Sequence, residues 1–150
     1  MGWVISLLVA VLVGYSLSIV INASVSAATL VGFGIEVSLS DRVDMITKEC
    51  VGLGTSYLPL YLVLHAVCFW LLGRLLRSAV LTTVVARASY AGIGAMSLMA
   101  FYLAFDAVMG SGGVVVASTR TTAGLLAHGA TGAVSGFLFQ WLSTAPGQTH

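Results

Sequence analysis

The sequence predicts an all-α, polytopic membrane protein: one integral membrane domain, residues 1–150, holding a four-transmembrane-helix bundle and a short amphipathic interfacial helix between helices one and two. Three observations carry this. Of 150 residues, 59% are hydrophobic and only 7% charged, with a mean hydropathy of +1.05, whereas a soluble domain carries about 25% charged residues. Four apolar stretches are long enough to cross a hydrocarbon core of about 30 Å, which takes about 20 helical residues. No strand-like alternation is sustained, and lipid admits only helices or closed barrels of many strands.

Helix one is expected from Trp3 to about Asn22. No Lys or Arg precedes its apolar run, which is longer than the core of a signal peptide, so it reads as a retained membrane helix. Apolar character persists to Ile35, so the chain must tilt, break near Asn22-Ala23-Ser24 or continue along the interface. Gly32 and Gly34 offer a natural end. The interfacial helix is expected over residues 40–50, within "SLSDRVDMITKEC". Leu39, Val43, Ile46 and Cys50 recur at helical spacing, and most of the charges fall away from that stripe. Ser40 is the expected N-cap, and Gly52 and Gly54 the stop. Helices two, three and four are expected over residues 57–73, 88–109 and 121–142, with Ser78 to Arg87 left open as an extension of helix three. The two cysteines, Cys50 and Cys68, match no ligand spacing.

Orientation rests on arginine. Arg74, Arg77 and Arg87 lie between helices two and three with no acid among them, while Arg42, Lys48 and Arg120 fall on the opposite side. The numbers tie, and the acid-free cluster favours a cytoplasmic loop there, with both termini cytoplasmic. The location implied is a bacterial-type inner membrane. Six scattered basic residues and a net charge of +1 form no nucleic-acid patch.

Small residues recur on two faces. Gly124, His128, Gly132 and Gly136 share one side of helix four, and Gly14, Ser18, Asn22 and Ser26 one side of helix one. In lipid such faces let helices approach closely, so these are expected helix-packing faces. A row of glycines beside a histidine also leaves room for a flat cofactor. His65 and His128 lie within spans, where an ionisable group normally faces protein or water and has a partner. Similar depths on two helices are what a bis-histidine haem b site requires. The plainer reading is a neutral histidine with one hydrogen bond inside the bundle. Tyr61, Thr131, Asn22, Ser18 and Ser135 are the expected partners. Asp106, near the end of helix three, and Arg120, near the start of helix four, each oppose their helix dipole and are expected to form a salt bridge.

No hydrolase, metalloprotease or phosphate-loop pattern is present, and no carboxylate pair lies within a span. The expected function is therefore non-catalytic: a small accessory or scaffolding subunit, with lipids, other integral membrane subunits or further copies of itself as partners. One alternative is a b-type haem or quinone-contacting electron-transfer subunit using His65 and His128. Another is a small oligomeric channel or exporter lined by Ser18, Asn22 and Thr131.

Overall fold

The computed structural model describes residues 2–109 and 117–144, apart from the side chains of Met109, Ala117 and Arg120. The described residues form five α-helices, α1 (Trp3–Gly32), α2 (Leu39–Gly54), α3 (Tyr57–Leu75), α4 (Thr83–Met109) and α5 (Thr122–Ser143), with short 3-10 turns at Leu76–Ser78 and Ala117–Arg120.

Of the three alternatives for the apolar stretch after Asn22, α1 does not break there; it continues unbroken to Gly32, one of the two glycines that offer a natural end. The polar side chains near Asn22 do not disrupt it. Ser24 returns its hydroxyl to the Val20 carbonyl at 2.6 Å, and Asn22 bonds to other elements. The helix closes where Gly34 adopts φ 81°. There the Ile35 N–H donates to the Leu30 carbonyl at 3.1 Å and the Gly34 N–H to the Val31 carbonyl at 2.9 Å. This nested pair satisfies the last carbonyls, and glycine meets no Cβ penalty in the left-handed region.

The N-cap of α2 is Ser38, two residues before the expected Ser40. The reason is a reciprocal capping box: the Asp41 N–H donates to Ser38 Oγ at 3.2 Å and the Ser38 N–H donates to Asp41 Oδ2 at 2.9 Å. The Ser38 hydroxyl and N–H hold the Asp41 carboxyl below its ordinary value. Asp44, 2.6 Å from Lys48 Nζ, raises that ammonium. α2 folds back along α1. Near its C-terminal end the Tyr15 hydroxyl donates to the Cys50 carbonyl at 2.8 Å and Asn22 Nδ2 donates to Glu49 Oε2 at 2.8 Å. The ten residues of each helix beyond these contacts span about 15 Å, so the two run antiparallel as a hairpin. Ile46 and Leu53 pack against the core, and no α2 residue is fully buried.

α3 turns every fourth residue inward: Tyr57, Tyr61, His65 and Phe69 are all essentially inaccessible. α4 starts at Thr83, five residues before the expected start, because Thr82 accepts the Ala86 N–H on its carbonyl at 2.9 Å and the Val85 N–H on its hydroxyl at 3.4 Å. α5 starts on Thr121, whose hydroxyl accepts the Gly124 N–H at 3.0 Å.

Three helical segments are long and apolar enough to cross a membrane: Trp3–Gly32, Tyr57–Ser78 and Thr83–Val108. α5, the fourth expected span, has 22 residues but does not join them. Its glycines, Thr131, Ser135 and His128 dilute its apolar character. These polar residues are nevertheless buried, because α5 packs against both α1 and α4. The approach is backbone to backbone. A Cβ on Gly132 would lie 2.3 Å from the Gly94 carbonyl oxygen, and one on Gly136 would lie 1.9 Å from that of Tyr90. A Cβ on Gly14 would meet Ser135 Oγ at 1.9 Å and the Tyr61 hydroxyl at 2.4 Å.

Candidate functional site: a polar knot at one end of the bundle

At the end of the bundle where α2 folds back, one hydrogen-bonded chain touches all six neighbouring elements. It begins at Glu49 on α2 and reaches Asn22 on α1. Asn22 Oδ1 accepts the Ser118 N–H at 3.2 Å, which ties down the turn before α5. Ser118 Oγ bonds His128 Nε2 at 2.7 Å, and His128 Nδ1 bonds Ser18 Oγ at 2.5 Å. Ser18 Oγ shares a further bond of 3.1 Å with the Tyr57 hydroxyl on α3, which in turn bonds the Tyr102 hydroxyl on α4. Ser18, Ser118, His128 and Tyr57 are each at most 2% exposed. Taking such groups out of water is tolerable only when they satisfy one another.

The two span histidines occupy different environments. Both partners of His128 are hydroxyls, which donate and accept, so either neutral tautomer is satisfied. Thr131 does not reach the ring; its hydroxyl donates to the His128 carbonyl at 2.8 Å. His65 Nδ1 lies 2.9 Å from the Tyr61 carbonyl. A carbonyl only accepts, so Nδ1 carries the hydrogen and Nε2 keeps its lone pair. That Nε2 is buried with no hydrogen-bond partner among the described residues. The His65 ring stacks on Tyr61 at 4.2 Å between centroids and meets the Phe69 ring at 5.2 Å. Tyr61 itself donates to Ser135 Oγ at 3.0 Å, because the Ser135 hydrogen goes to the Ala10 carbonyl at 3.1 Å.

A hydroxyl–imidazole–hydroxyl row is able to pass a proton from one ring nitrogen to the other. From Ser118 to Glu49, however, the chain runs through a backbone N–H and the Asn22 amide, which serve as fixed donors. The row therefore does not extend to the carboxylate as a proton path. Neither nitrogen of His128 is free, so ligating a haem iron would cost one of its two serine bonds, and the glycine row beside it is occupied by the backbones of neighbouring elements. Among the described residues no group of three or more His, Cys, Asp or Glu is placed to hold a metal. Cys50 and Cys68 are free thiols.

Gly14, Ser18, Asn22, Gly124, Gly132 and Gly136 are all buried. Asp106 is exposed on α4, and the expected Asp106–Arg120 salt bridge lies outside the described residues, as does His150. Sequence reasoning missed Ser118, Tyr57 and Tyr102. Ser118 precedes α5 in a turn with no periodicity to mark it, and the tyrosines read as aromatic packing until their hydroxyls converge.

Comparison of the chain with protein-family models, curated proteins and solved structures finds no match.

Proposed function

We propose that this chain is a small, non-catalytic accessory or scaffolding subunit of a larger membrane protein complex. In this reading it spans a bacterial-type inner membrane four times, with both termini cytoplasmic. α5 serves as the fourth span, shielded by its neighbours, and the α1–α2 hairpin lies at the outer interface. The observation that supports it is an imbalance of burial. In their most apolar stretches α1 is 44% buried, but α3 and α4 only 17% each. Val63, Val67 and Trp70 on α3 and Met96 and Leu103 on α4 stand outward. The interior polar groups, by contrast, are largely consumed by bonds to one another. Such a molecule offers broad apolar flanks to lipid and to other spans, while its polar core holds its own helices in register.

The test is purification from native membranes in mild detergent, with identification of co-purifying chains and a mass for the intact particle. Recovery in a complex with other integral subunits is expected. A chain that elutes alone as a monomer under those conditions overturns the reading.

A further inference from the structure

We propose that the end of the bundle opposite the polar knot binds the phosphate of anionic phospholipids through Arg74, Arg77 and Arg87; this rests on the membrane-spanning reading above. The three arginines lie at the end of α3, in the turn after it and early in α4. The chain brings these segments side by side, since a Cβ on Gly73 would lie 3.0 Å from the Tyr90 hydroxyl. All five acidic residues, Glu36, Asp41, Asp44, Glu49 and Asp106, fall on the hairpin, on α2 or near the far end of α4. The arginine end thus has no carboxylate side chain to neutralise it, and the ion pair found among the described residues, Lys48 with Asp44, belongs to the other end.

Two features point to an acceptor from outside the chain. Arg74 and Arg77 are exposed and Arg87 is half-buried, and no acceptor for Arg87 Nε, itself closed off from solvent, is found among the described residues. Arg74 lies over the Trp70 ring at 5.1 Å and Arg87 over the Phe137 ring at 5.8 Å. Stacking on a ring engages the guanidinium face and leaves its N–H edge for a fork on phosphate oxygens. The connecting segment between the arginines is apolar and outward-facing, with Leu75 and Val84 each 75% exposed. The three tryptophans, Trp3, Trp70 and Trp141, sit at the same end, as side chains of a membrane–water interface do. Cations beside outward aliphatic groups complement a lipid phosphate with its acyl chains, whereas free phosphate complements the cations alone.

The experiment uses a variant in which Trp3→Phe and Trp141→Phe leave Trp70, beside Arg74, as the sole reporter. It is reconstituted in phosphatidylcholine vesicles containing brominated phosphatidylglycerol or, at the same mole fraction, brominated phosphatidylcholine. Stronger quenching by the anionic lipid is expected, and each of R74Q, R77Q and R87Q should lower the preference roughly fivefold, as about 1 kcal/mol per arginine at a charged membrane surface implies. Equal quenching by the two lipids overturns the proposal alone. A preference erased by millimolar inorganic phosphate at constant ionic strength overturns the lipid assignment in favour of free phosphate. No quenching by either lipid overturns the membrane-spanning reading together with it. Native mass spectrometry of the unaltered chain gives a second readout, with phosphatidylglycerol retained over phosphatidylcholine.

Discussion

The two halves of this bundle are built from the same helices and both contain ring contacts, but they differ in how far hydrogen bonds link the helices. Around His128, polar side chains from α1 to α5 form a hydrogen-bonded chain. Around His65 the contacts are between rings: Tyr61 on His65, Phe69 on Phe139 at 4.9 Å, Tyr90 on Phe139 at 5.3 Å and Trp3 on Phe139 at 5.7 Å. Aromatic packing tolerates sliding, because ring contacts vary gradually with position. A continuous hydrogen-bond chain does not, because a shift of one residue leaves buried donors and acceptors unpaired. The knot therefore sets helix register, and the aromatic half fills space.

Both halves depend on the glycine seam of α5, so its obstruction should have the largest effect. Gly136→Val places side-chain atoms against the Tyr90 carbonyl, 1.9 Å from an ideal Cβ, and a backbone carbonyl cannot rotate aside as a side chain can. A loss beyond the usual overpacking range of about 1–3 kcal/mol is expected, read as disappearance of a monodisperse peak and of a cooperative thermal transition in detergent.

The two histidines should respond differently to the same substitution. His128→Phe strands the Ser18 and Ser118 hydroxyls on the ring side and should cost about 3 kcal/mol. His65→Phe removes an unpartnered nitrogen together with the one Nδ1 bond to the Tyr61 carbonyl and should cost about 1 kcal/mol or less. Thermal midpoints in one detergent decide the matter; equal losses at the two sites would show that the halves do not differ as described.

A smaller effect belongs to the hairpin outside the core. Ser38→Ala removes the α2 cap and should cost about 1 kcal/mol, read as faster hydrogen exchange in the first turn of α2. The same turn should loosen with acid. The folded Asp41 carboxyl titrates below its ordinary value of 3.8, so its contribution is complete above that value and is lost as pH falls through the lower, folded value. Asp41→Asn should flatten this pH dependence of exchange.

The smallest change is expected at Gly92, where an added Cβ meets nothing within 4 Å. Gly92→Ala should be stabilising by up to about 1 kcal/mol through helix propensity, measured as a raised thermal midpoint. A loss there would reveal a neighbour on the outer face of α4, which would sharpen the case for a partner subunit.

Particular residues show how far the sequence could be read. The spacing of Gly14, Ser18 and Asn22 marks one face of α1, and that of Gly124, His128, Gly132 and Gly136 one face of α5, because helical geometry alone puts them there. The placement of Tyr61 one turn before His65 was equally legible, although the contact is a stacked ring and a carbonyl rather than the hydroxyl. Ser118 was not legible as a ligand of His128, since nothing local fixes the direction of a turn outside a periodic segment. The sequence leaves open whether α1 breaks or continues past Asn22, because the partners that satisfy Asn22 and Ser24 lie partly on other elements.

Composition and periodicity by themselves determined an all-helical chain, the stretches apolar enough for lipid, and the faces on which small and polar residues gather. These follow from the 3.6-residue repeat and from the transfer energy of side chains, which are properties of the local chain. Only the tertiary structure decided that α5 is central, that α2 folds back on α1, and that one histidine is doubly bonded while the other keeps a free lone pair. Those outcomes depend on which atoms from distant positions arrive within about 3 Å of each other, and no local repeat carries that information.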